Sequence, residues 1–163
     1  MSATVKEHGL LFNAEMVRRL LDGSKTQTRR PRKIGGYKRG DIIWARETFA
    51  LHPDADEGYI YRATDPGWDD NDSGIKWTPS ILMPRVASRI TLEITDVRVQ
   101  RVQEISEADA KDEGVELTYD NDHYEGIEIY KDEFRRLWND LYRDLDWSLN
   151  PWVWALTFKR VKP

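Results

Sequence analysis

Cysteine is absent from the 163 residues. Disulfides, thiolate metal sites and cysteine nucleophiles are therefore closed to this chain, and the composition fits a reducing compartment. Long apolar runs are missing too. No stretch approaches the ~18 residues of a membrane span, and the N-terminus lacks the apolar core of a signal peptide. A cytoplasmic protein with no membrane partner is the expectation. Histidine is scarce: His8, His52 and His123 lie far apart, and none has a paired ligand spacing. The acids Asp69, Asp70 and Asp72 lack the order of a calcium loop and read as solvated turn residues. No metal is expected. The Lys25-Thr26 pair follows a helix, and Ser24 and Arg19 stand where a phosphate-binding P-loop needs glycine, so that motif is excluded.

What the chain has is charge, unevenly spread. Charged residues make up 33% of it and hydrophobic residues 39%, a soluble globular composition of one-domain length. The net charge of −4 argues against bulk nucleic-acid affinity. Residues 1–46 nevertheless carry a net +7, and residues 103–147 a net −10. The basic third has two readings: it faces an anionic ligand such as a nucleotide phosphate or an RNA strand, or it pairs with the acidic segment.

Periodicity supplies the elements. Asn13 caps a helix over about 13–21, with Met16, Val17, Leu20 and Leu21 as its apolar stripe and Gly23 as its stop. Residues 24–40 read as a polar extended loop. Strands are expected over 41–49 and 59–63, with an acidic, turn-rich stretch at 65–74. The clearest β signal follows Pro84: Ile90, Leu92, Ile94, Val97 and Val99 alternate with polar residues. Ser106 and Asp109 make a capping-box-like start to a short helix that stops at Gly114. A loop covers about 115–129. A longer helix fits 131–142 through Phe134, Leu137, Trp138 and Leu141. The chain closes with a strand over 152–161. Separated strands with helices between them predict an α+β domain, a small barrel or curved sheet flanked by helices.

The string Lys25-Thr26-Gln27-Thr28-Arg29-Arg30 is the most informative. A lysine works as a base when burial or neighbouring cations lower its pKa, and this string supplies the cations. A threonine hydroxyl three residues on becomes a nucleophile if that lysine takes its proton. The same residues also make an ordinary exposed basic loop.

With Gly40-Asp41-Ile42-Ile43-Trp44-Ala45-Arg46-Glu47-Thr48, this string resembles the opening of ASCH domains of the PUA-like superfamily. Met83-Pro84-Arg85-Val86-Ala87-Ser88-Arg89-Ile90, the 105–114 stretch from Ile105 to Gly114, and Asn150-Pro151-Trp152-Val153-Trp154 fit that pattern in order. The likeness runs over nearly the whole chain and is nearest to the longer ASCH proteins of bacteriophages and prophages. It implies one domain over 1–163, a PUA-like β-barrel with a cleft near the first helix, and a surface insert at 52–76. Some small bacterial members are amidohydrolases that deacylate N(4)-acetylcytidine. Their lysine and threonine fall on Lys25 and Thr28, and their glutamate on Glu113. Glu113 also has a reading of its own: a carboxylate closing a helix opposes the helix dipole, a placement that suits a proton carrier or a plain surface residue.

Two functions follow. In the first, Thr28 attacks the amide carbonyl of an acylated cytosine nucleoside, Lys25 takes its proton, and Glu113 serves the leaving amine or the hydrolytic water. Arg29, Arg30 and Arg85 bind substrate and Trp77 walls it. No cofactor is needed. In the second, the chain is an RNA- or nucleotide-binding module, or a ribonuclease, in which the same cations contact phosphate and aromatics stack bases. Trp138, Trp152 and Trp154 read as core residues.

Overall fold

The computed structural model describes residues 4–32, 36–69, 72–117 and 128–161. Along these run β1 (Glu7–Leu11), α1 (Ala14–Asp22), β2 (Gln27–Pro31), β3 (Ile42–Arg46), β4 (Phe49–Leu51), β5 (Tyr59–Tyr61), β6 (Thr91–Arg101), α2 (Glu107–Asp112), α3 (Ile129–Leu141) and β7 (Trp152–Arg160). Short 3-10 turns join several of them. The chain forms two compact units. The first comprises residues 1–22, 40–93 and 159–163, and the second 23–39 and 94–158.

In the first unit the Asn13 side chain accepts a hydrogen bond from the Met16 N–H at 2.9 Å, satisfying an orphan donor of α1. Gly23, at φ +84°, takes the left-handed turn that ends the helix. The strand β1 pairs in parallel with β3, which pairs antiparallel with the start of β6. Val17, Leu20, Ile43, Ala45 and Leu92 are buried. Residues 41–49, expected as one strand, divide into β3 and β4. Glu47 lies at the break, buried and held by Arg89 through two bonds of 2.9 and 3.0 Å. The pair β4–β5 packs Phe49 over Met83 and Ala87, with Tyr59 and Tyr61 beside them. Of the stretch 52–76, Tyr59–Tyr61 belong to this pair. A cavity of about 500 Å³ opens there, lined among others by Phe49, Leu51, Tyr59, Ile75 and Lys76.

In the second unit β7 lies between β6 and β2. Its core joins Val102, Ile105, Ala110, Phe134, Trp138 and Val153. The spacing of Phe134 and Trp138 turns one face of α3 inward. Ser106 accepts from the Asp109 N–H at 3.0 Å and starts α2. Glu107 then accepts from the N–H groups of Tyr130 and Lys131 at 2.8 and 3.0 Å. A carboxylate on α2 thus satisfies the exposed donors of α3. The expected loop over 115–129 lies largely outside the described residues.

The mixture of helix and sheet is as the periodicity predicts. Among the described residues no ladder closes either set of strands into a barrel. The segment expected as a loop over 24–40 contains β2, which pairs antiparallel with β7 at five positions, from Gln27 opposite Thr157 to Pro31 opposite Val153. Its residues have little β propensity. The partner strand and the burial of its polar side chains make it a strand, and apolar alternation cannot reveal that.

Candidate functional site

Alternation along β2 sends Gln27 and Arg29 to one face, and Thr28 and Arg30 to the other. On the first face Lys25, just before the strand, reaches Glu113 at the end of α2. The Nζ donates to the carbonyls of Gln27 and Glu113 at 2.8 and 2.9 Å, and to Glu113 Oε2 at 3.0 Å. Arg29 Nη1 donates to Glu113 Oε1 at 2.9 Å and to Gln27 Oε1 at 3.0 Å. Its Nη2 lies 3.3 Å from Asp109 Oδ2, which also accepts from Arg98 at 3.2 Å. The Gln27 amide nitrogen donates to Asp109 Oδ1 at 2.9 Å, so this amide spends its donor on a carboxylate and its acceptor on a guanidinium. The side chains of Lys25 and Arg29 are 0% exposed, and that of Glu113 is 3% exposed.

Burying these ions is costly unless each is paired and hydrogen-bonded. Here two buried cations meet the Glu113 carboxylate, with Asp109 as second anion. The backbone adds to the attachment: the Thr26 N–H donates to the Asp112 carbonyl at 2.7 Å, and the Phe158 N–H to the Thr26 carbonyl at 3.0 Å.

Burial holds the Lys25 pKa below its ordinary 10.5. Glu113 opposes by charge and hydrogen bond, and the charges of Arg30 and Arg29 add smaller pushes downward. The sequence names both those arginines and burial as causes, and burial is the larger. For Asp109, burial pushes the carboxyl up, but hydrogen bonds from Gln27 and Arg98 and the charges of Arg29 and Arg98 outweigh it and hold the pKa low.

The Lys25 shift sets a pH dependence of stability. Between the lowered folded pKa and 10.5 the unfolded chain holds a proton on Lys25 that the folded chain has lost, so stability rises with pH across that interval. Tyr37 and Tyr61, both raised by burial, act oppositely above pH 10.0. The difference between the parent and Lys25→Met isolates the lysine. Urea unfolding at several alkaline pH values is expected to show the parent gaining on the variant as pH rises. A constant difference would mean that Lys25 keeps an ordinary pKa.

On the other face of β2, Thr28 is buried and its Oγ1 accepts from Arg30 Nε at 3.3 Å. The three acceptors of Lys25 Nζ do not include that hydroxyl. Lys25, Glu113 and Arg29 are therefore brought into direct contact, while Thr28 and Arg30 form a second pair across the strand. Trp77 and Arg85 belong to the first unit. There Trp77 Nε1 donates to Asp69 at 2.8 Å, and Arg85 bonds Glu7 and Thr91 and lies 5.8 Å over the Trp44 ring. Expected core residues differ as well: Trp152 is 46% exposed and Trp154 is half-buried.

Gln27, Arg98 and Asp109 were not named as site residues from the sequence. Their signal was spacing. Asp109 and Glu113 stand four apart on α2, and Gln27 and Arg29 two apart on β2, so each pair shares a face. Among the described residues no group of three or more histidines and acids could hold a metal ion. Nor is any helix there long and apolar enough to cross a membrane.

No family model and no curated protein matches the chain. Among solved structures it is similar to protein EF3133 from Enterococcus faecalis V583, of the DUF984 family. The TM-score is 0.51 and the identity 11%, over 99% of this chain and 83% of that one. At that identity the likeness is one of fold alone. A second similar structure is an ASCH domain from Lactobacillus crispatus JV V101, with TM-score 0.48 and 14% identity over 95% of this chain and 79% of that one.

Proposed function

We propose that the chain is an ASCH-type amidohydrolase that removes the acyl group from an N(4)-acylated cytosine nucleoside. The observation that carries the reading is the buried Lys25–Glu113 pair, 88 residues apart in sequence and 3.0 Å apart in space, one residue type each from the two motifs of the resemblance. Thr28 Oγ bonds to the amide carbonyl carbon and its proton passes to neutral Lys25 Nζ. The C–N bond breaks, that proton goes to the departing exocyclic nitrogen, and cytosine regains its amine. Water then cleaves the acyl-threonine ester, with Glu113 orienting it. In the resting arrangement Nζ donates to three acceptors, as an ammonium does. Lys25 rests on the face of β2 opposite Thr28, so Nζ must lose a proton, give up its contacts and move to the Thr28 face before it serves that hydroxyl; its lowered pKa favours the loss of the proton.

A second reading is nucleotide or RNA binding without chemistry, in one domain over 1–163. The seven basic residues and no acid between positions 23 and 39 favour it. Incubation of purified protein with a panel of acylcytidines, followed by chromatography, separates the two. Release of cytidine supports the hydrolase. Intact substrate throughout, with salt-sensitive nucleotide binding, replaces it by the binding module.

A further inference from the structure

The face of the β2–β7 ladder that bears Thr28 has a composition unlike the buried network behind it. Register sets Thr28 opposite Leu156 and Arg30 opposite Trp154, and the Arg32 N–H bonds the Trp152 carbonyl at 3.1 Å. Directly opposed residues share a face, as do residues two apart. Thr28, Arg30 and Arg32 therefore line up beside Leu156, Trp154 and Trp152. The Arg32 guanidinium is exposed and lies 5.7 Å over the Trp154 ring, and Tyr37 stands edge-on to that ring at 5.6 Å.

Two groups on this face are donors without a hydrogen-bond acceptor among the described residues. Arg32 makes no side-chain hydrogen bond or ion pair among the described residues, whereas Arg29 and Arg98 each meet a carboxylate. Trp154 Nε1 is buried, and like Arg29 Nε, Arg46 Nε and Gln100 Nε2 it has no acceptor among the described residues; of these four it is the one that lies on this face. A desolvated N–H without a partner is rare in a native structure and marks a place where an acceptor belongs. A guanidinium resting on an indole is only weakly held. Both groups are donors with no acceptor among the described residues, so the complementary ligand is rich in acceptor oxygens and negatively charged. The aromatic pair beside them suits a base or a sugar.

We infer that this face binds the phosphate of a cytidine nucleotide, with Arg32 and Trp154 Nε1 as its donors, so that the substrate is phosphorylated and not a free nucleoside. This rests on the hydrolase reading for the identity of the base and deepens it by naming the substrate class. On binding, the Arg32 guanidinium leaves the indole for the phosphate, where its hydrogen bonds are charge-assisted and paired, and the Trp154 N–H donates to a phosphate oxygen. A nucleotide and the phosphorylated end of an RNA strand present the same chemistry.

The test uses binding and needs no hydrolysis. Titration calorimetry compares cytidine, cytidine 5′-monophosphate and a 5′-phosphorylated cytidine trinucleotide. The monophosphate is expected to bind at least about tenfold tighter than cytidine, an advantage that shrinks as salt is raised. Arg32→Ala, at an exposed position, should remove most of that advantage and leave cytidine affinity unchanged. Trp154→Phe keeps a ring but deletes the N–H, and should reduce the advantage several-fold. Tighter binding of the trinucleotide than of the monophosphate names a strand end as the source, and equal binding names the mononucleotide. Either outcome upholds the inference. Equal affinity for cytidine and its monophosphate overturns it, as does an advantage that survives Arg32→Ala. Acylcytidine hydrolysis without a phosphate preference would sink this inference alone. A phosphate preference without hydrolysis would sink the hydrolase alone.

Discussion

Thr28→Val is expected to reduce acylcytidine turnover by at least about a thousandfold while changing nucleotide affinity little. Valine is nearly isosteric with threonine, and Thr28 lies buried within β2 opposite Leu156. The strand keeps its packing, and the backbone keeps its ladder. What goes is the hydroxyl, and with it the bond from Arg30 Nε at 3.3 Å. A bond of that length contributes little, so the binding reading predicts a loss of at most ~0.5–1.5 kcal/mol in affinity. The two readings thus differ by orders of magnitude in one measurement. Thr28→Ser is the control, because it restores a nucleophilic hydroxyl and removes a methyl. Partial recovery of turnover in the serine variant ties the defect to the oxygen. Undiminished hydrolysis by the valine variant would remove Thr28 as nucleophile.

The elements read correctly from sequence are those whose pattern is apolar. Phe134 and Trp138 announce α3, and the alternation after Ile90 announces β6, because burial of apolar side chains leaves a periodic trace. The strand β2 leaves none. Its inward residues are Gln27 and Arg29, which are buried by ion pairing with α2, and a search for apolar alternation reads them as solvated loop. The same cause divides the legibility of the site. Lys25 and Glu113 were named from motifs, but their neighbours Gln27, Asp109 and Arg98 became visible only once α2 and β2 stood side by side. Trp154 shows the converse error. An aromatic on a strand reads as core, yet at the start of β7 the buried positions are Val153 and Ala155, while Trp154 lies on the face of Arg30 and Arg32, a face that is buried only further along, at Leu156 and Phe158. Parity along β7 does not reveal this, because buried residues stand on both of its faces. Val153 is buried by Ala110 of α2 and by Phe134 and Trp138 of α3, and no local window contains them.

Glu113→Ala is expected to destabilise the fold by about 3–5 kcal/mol, the cost typical of breaking a buried ion pair from one side. Its two carboxylate oxygens hold different cations, Oε2 the Lys25 ammonium and Oε1 the Arg29 guanidinium. Alanine leaves both charges buried with only Gln27, Asp109 and backbone carbonyls around them. One effect runs the other way: a negative charge at the end of α2 opposes the helix dipole, and its removal gains ~0.3–1 kcal/mol. That is too small to reverse the sign. Against a total stability of roughly 5–15 kcal/mol, the loss should appear as a large shift of the urea midpoint. A loss under about 1 kcal/mol would mean that the network does not anchor β2. Glu113→Gln keeps the shape and an acceptor, so it should unfold between the parent and the alanine variant, and it allows activity to be measured on folded protein. Charge and hydrogen bonding from Glu113 are the two influences that raise the Lys25 pKa against burial. Glutamine removes the charge, so the Lys25 pKa falls further and the amine is neutral at lower pH. The rising limb of the rate against pH should therefore move to more acidic pH in Glu113→Gln, even as the maximum rate drops. A glutamate that only supports the fold would lower the amount of active protein and leave the limb where it was. Lys25 acting as the base requires the limb to move.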